Sequence, residues 1–255
     1  MYPTLLHFGK ITIYTYGFFL ALGFLAGIFL AKTEAKRVGE DPDKILDLAF
    51  YILIAAIVGS RIFFVATNPK LYVSAPLEIF KIWNGGLVFY GGFIAALVTG
   101  LAYLHLKQMP VWKTTDILAP SLALGQSLGR MGCFFAGCCY GKACTLPWAI
   151  TFTHPDTLAP IGKPIHPTQL YSALTNLAIF IFLFAIRRKK KFDGQLFWMY
   201  VLLYGITRSI IELFRGDPRG GLVFDILSIS QATGIMMGAL AVVMLIYLGR
   251  RQKEA

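Results

Sequence analysis

Acidic residues are scarce in this 255-residue chain: 13 Asp and Glu stand against 24 Lys and Arg, and charged residues together make up only 15%. A soluble globular domain carries about 25%, so the composition excludes an ordinary soluble fold and points to a polytopic membrane protein, 56% hydrophobic. Cysteine is absent outside one window, where all four fall at positions 133, 138, 139 and 144. Their pattern, C-x4-C-C-x4-C, lacks the paired C-x2-C spacing of a common zinc site. Small residues at close-packed helix interfaces are the leading reading, with a disulfide as the alternative if the window faces an oxidising compartment. No metal and no cofactor are expected. There is no internal repeat, no low-complexity tract and no cleavable-signal pattern. The first apolar segment, preceded by the single Lys10, is long enough to remain as a membrane helix.

Seven apolar stretches are present, near 13–31, 46–66, 87–106, 117–136, 168–187, 195–214 and 226–248. Each approaches the roughly 20 helical residues needed to cross a hydrocarbon core. The expected fold is therefore all-α: one integral-membrane domain over 1–255, with about seven transmembrane helices around a polar cavity. The fourth stretch is interrupted by Pro120 and several glycines, breaks that are tolerated where the backbone lines a cavity or is buried in protein.

Alternate loops differ in basic residues. One set holds fourteen, including Lys32, Lys36, Arg37, Lys107 and the run Arg187 to Lys191; the other holds seven, including Lys70, Lys142, Arg215 and Arg219. The richer set is expected on the cytoplasmic side, which puts the N-terminus outside and the C-terminus inside. The net charge of +11 is thus a topology signal, and no nucleic-acid partner is expected.

Three of the 24 basic residues remain, all within apolar stretches: Arg61, Arg130 and Arg208. An arginine at the centre of a membrane helix costs about 2.5–3.5 kcal/mol on the lenient insertion scale, so each needs an anionic or carbonyl partner. Arg130 lies in Ser127-Leu-Gly-Arg-Met-Gly-Cys-Phe-Phe-Ala-Gly-Cys-Cys-Tyr-Gly141. Its flanking glycines allow close backbone approach and offer N–H groups to an anion. The planar guanidinium fork suits a phosphate oxyanion, so Arg130 and Arg208 form a candidate phosphate clamp opening at the outer leaflet. The structural alternative pairs them with Glu212, Asp217 or a helix-end carbonyl; for Arg61 it is snorkelling. Glu212 and Arg215 follow Arg208 at i+4 and i+7, on one helical face.

The segment Asn84-Gly-Gly-Leu-Val-Phe-Tyr-Gly-Gly-Phe93 sets two Gly-Gly pairs around a tyrosine expected to be buried. It reads either as tight helix packing or as placing Tyr90 in the cavity as a proton relay. In Ile165-His-Pro-Thr-Gln-Leu-Tyr171, Thr168 is a possible helix cap, and His166 and Gln169 are candidates to contact a polar head group.

Five motifs in order resemble the prolipoprotein diacylglyceryl transferase family of bacterial inner membranes: the Gly-Gly-Leu…Gly-Gly block at 85–92, Gly129-Arg130-x-Gly132, His166-Pro-Thr-Gln-Leu-Tyr171, Tyr204-Gly-x-x-Arg208-x-x-x-Glu212-x-x-Arg215 and Leu227-Ser-x-x-Gln231. The resemblance covers nearly the whole chain. It implies transfer of the diacylglyceryl group of phosphatidylglycerol to the lipobox cysteine of a preprolipoprotein signal peptide, releasing glycerol phosphate. It also implies a multi-pass protein of the inner membrane, in contact with the lipid bilayer, whose active site opens to the periplasmic side. The implied catalytic residues are Arg130, Arg208 and Tyr90; Arg61, Gly129, Gly141, Tyr16, Glu212, Arg215 and Gln169, with the two clamp arginines, would bind the lipid. Three positions depart from the family pattern: Tyr90 stands where a histidine is usual, and Cys133 and Cys138 replace an asparagine and a glutamate. A membrane thiol oxidoreductase built on the cysteines and an anion transporter are the alternatives.

Overall fold

The computed structural model describes residues 2–8, 11–73, 76–82, 85–217, 222–223 and 227–254. Lys10, Asn84 and Arg219, which entered the sequence reading, lie outside them. Seven α-helices are present among the described residues: α1 (Thr15–Val38), α2 (Pro42–Thr67), α3 (Phe89–Leu106), α4 (Val111–Ala136), α5 (Thr168–Ile186), α6 (Gln195–Glu212) and α7 (Ile229–Glu254). Each coincides with one of the seven apolar stretches. Five of them, α1, α2, α3, α5 and α7, are long and apolar enough to cross a membrane. The other two are interrupted by polar residues: Asp116, Ser121, Ser127 and Arg130 on α4, and Thr207, Arg208, Ser209 and Glu212 on α6.

The described residues also include short β structure that the apolar pattern did not announce. β1 (Thr4–Phe8) and β2 (Ile11–Tyr14) form an antiparallel hairpin before α1. Two-residue strands pair in the loops, β3 (Ile150–Thr151) with β4 (Pro164–Ile165) and β5 (Leu222–Val223) with β6 (Leu227–Ser228).

The chain divides into two compact units, one of residues 1–31 and 115–255, the other of residues 32–114. In the first, α1 and α4 run antiparallel through small residues. A Cβ added to Gly23 would lie 2.9 Å from the Gly125 carbonyl oxygen, and one on Gly132 would lie 3.1 Å from that of Tyr16. Backbones can approach this closely only where side chains are missing, and the register sets Tyr16 beside the turn of α4 that carries Arg130. α6 and α7 cross in the same way at Gly205 and Gly234. Ala119, Ala123, Ile179, Leu183, Leu196 and Tyr200 form an apolar core shared by α4, α5 and α6.

Asp116 is only 2% exposed and organises the start of α6. Its two carboxylate oxygens accept from the Gly194 and Phe197 main-chain N–H groups, both at 2.9 Å, and from Lys190 Nζ at 2.9 Å. A buried carboxylate is tolerated when it is this fully hydrogen-bonded, and it satisfies N–H groups left open at a helix start. Lys190, from the basic run after α5, therefore has a structural partner as well as its place in the charge pattern.

In the second unit, Asp41 caps α2 by accepting from the Asp43 N–H, with Pro42 in the first turn, a common start for a helix. α2 and α3 are antiparallel and in close contact: a Cβ on Gly91 would lie 2.5 Å from the Gly59 carbonyl oxygen. The second Gly-Gly pair of the 84–93 segment is thus a helix-packing device.

Candidate active site at the end of the fourth helix

α4 stops at Ala136 because Gly137 adopts φ +77°, the left-handed conformation that commonly ends a helix. A side chain there would strike Thr157 Oγ1. Cys139, with φ +61°, turns the chain again, an uncommon conformation for a non-glycine residue that surrounding contacts must hold. Those contacts come from the start of α5. Thr168 Oγ1 donates to the Cys139 carbonyl at 2.7 Å and Gln169 Nε2 to the Cys138 carbonyl at 2.8 Å. This corrects one expectation: Thr168 does not cap α5, whose N-cap is Pro167 without a side-chain bond. Gln169, 1% exposed, commits its Nε2 to the turn.

The turn brings three thiols together. The Sγ atoms of Cys133, Cys138 and Cys139 all lie within 4.8 Å of one another, and Cys138 Sγ points at the Cys133 carbonyl at 3.8 Å. Hydrogen bonds from the Cys133 and Cys138 thiols, and then the Arg215 guanidinium, hold the Cys139 thiol far below its ordinary range. Cys138, bonded to the other two thiols, is pushed up.

Beyond the turn, residues 140–142 run between two other segments. Gly141 N–H donates to the His166 carbonyl at 3.1 Å, Lys142 N–H to the Phe214 carbonyl at 2.8 Å, and Gly216 N–H to the Tyr140 carbonyl at 3.1 Å. A Cβ on Gly141 would lie 2.5 Å from the His166 carbonyl oxygen and 2.9 Å from that of Phe214, so Gly141 serves close main-chain packing. These bonds deliver Arg215. α6 ends at Glu212, so Arg215 is not on a continuing helical face as its i+7 spacing had suggested; it arrives through the bridge between Gly141 and its own main chain. Its Nε and Nη2 grip Asp217 at 2.9 and 2.8 Å. Burial disfavours its charge, but Asp217 and Cys139 more than offset this and raise its pKa. His166, Tyr171 and Phe214 pack their rings alongside, with His166 Nδ1 3.2 Å from the Tyr171 hydroxyl.

Arg130 sits one turn before Cys133 on α4. It is half-buried, and among the described residues it has no ion pair or hydrogen bond. Its charge acts instead on Tyr204, Cys133, Cys139 and Arg215, on Tyr200 and on Tyr16. A Cβ on Gly129, the residue before it, would meet nothing within 4 Å. Arg208 is different. The Gly205–Gly234 crossing sets it against α7, where Nη2 donates to Ser230 Oγ at 3.1 Å, and the same nitrogen lies 2.6 Å from Glu212 Oε2.

Arg61 and Tyr90 belong to the second unit. The Arg61 guanidinium, 7% exposed, donates to the carbonyls of Glu78, Ile79, Lys81, Gly85 and Gly86 at 2.6–3.3 Å. It lies over the rings of Phe64 and Tyr72. Arg61, expected to bind lipid with snorkelling as the alternative, here ties the loop before α3 onto α2. Tyr90, expected to be buried, is 58% exposed in the first turn of α3, against the Phe89 ring.

The structure thus gathers Arg130, Tyr16, Arg215, Gly129, Gly141 and Gln169 around the end of α4, with Glu212 held on Arg208. Sequence reasoning missed Tyr204 as a neighbour of Arg130, Ser230 as a partner of Arg208, and the clustering of the thiols. Asp217 had been considered only for Arg130 and Arg208, although its place two residues after Arg215 was a usable signal.

The sequence profile of the family described as prolipoprotein diacylglyceryl transferase matches residues 3–247. The chain belongs to this family. Among its relatives is the phosphatidylglycerol–prolipoprotein diacylglyceryl transferase of Clostridium tetani, 38% identical over 231 residues and 91% of each chain. A Clostridium perfringens protein named as the second such transferase is 36% identical, covering 88% of this chain and 87% of its own. The Geobacter sulfurreducens transferase is 32% identical, over 98% of this chain and 96% of its own. These relatives give no support to a thiol oxidoreductase or an anion transporter.

Proposed function

We propose that this chain transfers the diacylglyceryl group of phosphatidylglycerol to the lipobox cysteine of a preprolipoprotein signal peptide. The observation that carries the reading is Arg130, a half-buried guanidinium without a carboxylate among the described residues. A desolvated charge left without a counter-charge costs several kcal/mol, and a lipid phosphate supplies one. The step forms a bond between the cysteine sulfur and a glycerol carbon while the bond from that carbon to the phosphate oxygen breaks. The thiol proton is lost, and glycerol phosphate leaves. Negative charge grows on the leaving phosphate, and Arg130 stabilises it where it develops. Arg215, fixed by Asp217, adds positive potential from the loop side. Arg208, fixed by Glu212 and Ser230, is the second, pre-positioned fork of the clamp.

The family membership, the loop charges and the apolar helices support the finer reading too. All seven helices cross the bacterial inner membrane as one domain, with the N-terminus outside and the α4 end opening to the periplasmic leaflet. The purified chain, incubated with phosphatidylglycerol and a lipobox peptide, is expected to yield a peptide heavier by one diacylglyceryl group, linked as a thioether. A peptide of unchanged mass across several detergents and in liposomes would overturn the proposal.

A further inference from the structure

We propose that Cys133, Cys138 and Cys139 form a three-thiolate site for a thiophilic divalent ion such as Zn²⁺, with its fourth position open to an incoming thiol. The spacing along the chain argued against a zinc site; the turn at 137–139 reverses that. In a tetrahedral site with Zn–S bonds of about 2.3 Å, the sulfurs lie roughly 3.8 Å apart. The three Sγ atoms are already within 4.8 Å of one another, so small rotamer changes complete the set. The site is also rigid. Cys133 is on a helix, and the main chain of the other two is held from outside by Thr168 and Gln169, the kind of support that fixes metal ligands in place.

Charge favours the assignment. Three thiolates and a divalent ion sum to −1. Positive charge lies beside this anionic set, from Arg215 against Cys139 and from Arg130 one turn before Cys133. Three protein ligands around a four-coordinate ion leave one position open, the arrangement of reactive rather than structural zinc sites. A thiol entering there loses its proton to the surrounding buffer as its sulfur bonds to the metal, and a coordinated thiol is held as the thiolate. The thiolate is the competent nucleophile. The inference rests on the transferase reading for the identity of that thiol, the lipobox cysteine, and the site would hold its sulfur beside the proposed phosphate-binding Arg130.

The test is metal binding by the full-length purified chain. Titration with Co²⁺ is expected to give one ion per chain, with the intense thiolate-to-cobalt charge-transfer absorption and the visible bands of a tetrahedral ion; Zn²⁺ should displace it. Cys144→Ser should bind equally, whereas Cys138→Ser and the triple Cys133→Ser/Cys138→Ser/Cys139→Ser variant should lose the absorption while keeping the wild-type helical circular dichroism. Should the triple variant misfold, the single variant decides. Adding a lipobox peptide should shift the visible bands and release one proton per peptide bound; a serine version of the peptide should do neither. Absence of the absorption in reduced protein, or two of the four thiols lost to a disulfide that does not reopen for metal, would overturn the site. Visible bands indifferent to the peptide would overturn the open position. Undiminished transfer by metal-free protein would sink the inference and leave the transferase reading standing. Metal binding without any transfer would do the reverse.

Discussion

Arg61 and Arg130 look alike in sequence, each an arginine one or two residues after a glycine in an apolar helix, yet their surroundings are opposite. Arg61 is surrounded by carbonyl oxygens of its own loop, five of them within hydrogen-bonding distance. Arg130 has tyrosines, thiols and another arginine around it and no carboxylate or carbonyl in reach among the described residues. A guanidinium whose donors are all taken by the main chain has nothing left to offer a ligand and holds the fold. One left without acceptors is the group that the proposed lipid phosphate would pair with. The two surroundings differ although the sequence contexts do not.

Substitutions can break this contrast. The largest effect is expected at Arg130. Arg130→Ala should lower transfer to a lipobox peptide by about 10²–10³-fold, the range for removing one transition-state donor, with a nearly unchanged melting temperature in detergent. A strong loss of thermal stability with kcat intact in the surviving fraction would reverse the roles. Arg61→Met should do the opposite. Buried carbonyls without donors cost about 1–3 kcal/mol each, and allowing for relaxation, a loss on the order of 3 kcal/mol is expected. It would be seen as a lower melting midpoint, with the KM for phosphatidylglycerol unchanged in the folded fraction. Arg208→Lys keeps charge but loses the planar fork. Because Glu212 already holds this side chain, transfer should fall by roughly tenfold, and near wild-type rates would remove Arg208 from the clamp. The smallest effect belongs to Tyr90→Phe. An exposed hydroxyl is expected to matter by less than about threefold, since proton transfer by a positioned side chain is worth about 10²–10⁴-fold; a drop into that range, with a changed pH–rate profile, would make Tyr90 the proton relay after all.

The helices were legible because their signal is local. Apolar runs at 13–31 or 168–187 carry their own hydrogen bonds and need no partner to be recognised. The hairpin over Thr4–Tyr14 was missed because two short strands before a longer apolar run leave no separate period. Tyr90 was misplaced as buried because Gly91 and Gly92 pack α3 on α2, while the intervening face is set by helix rotation, which flanking glycines do not reveal. Arg215 was placed on a helix that in fact ends three residues earlier.

The sequence alone determined the helical membrane character of this protein, its seven apolar segments, its family and the three arginines within those segments that call for explanation. Hydropathy and ordered motifs are properties of the chain itself. Only the tertiary structure decided which arginine is already satisfied, how Arg215 reaches the end of α4, and that three cysteines spaced against any familiar metal pattern meet within 4.8 Å. Those outcomes depend on a turn at Gly137 and on hydrogen bonds from Thr168 and Gln169, far along the chain. Spacing cannot encode distances that are set by contacts between remote segments.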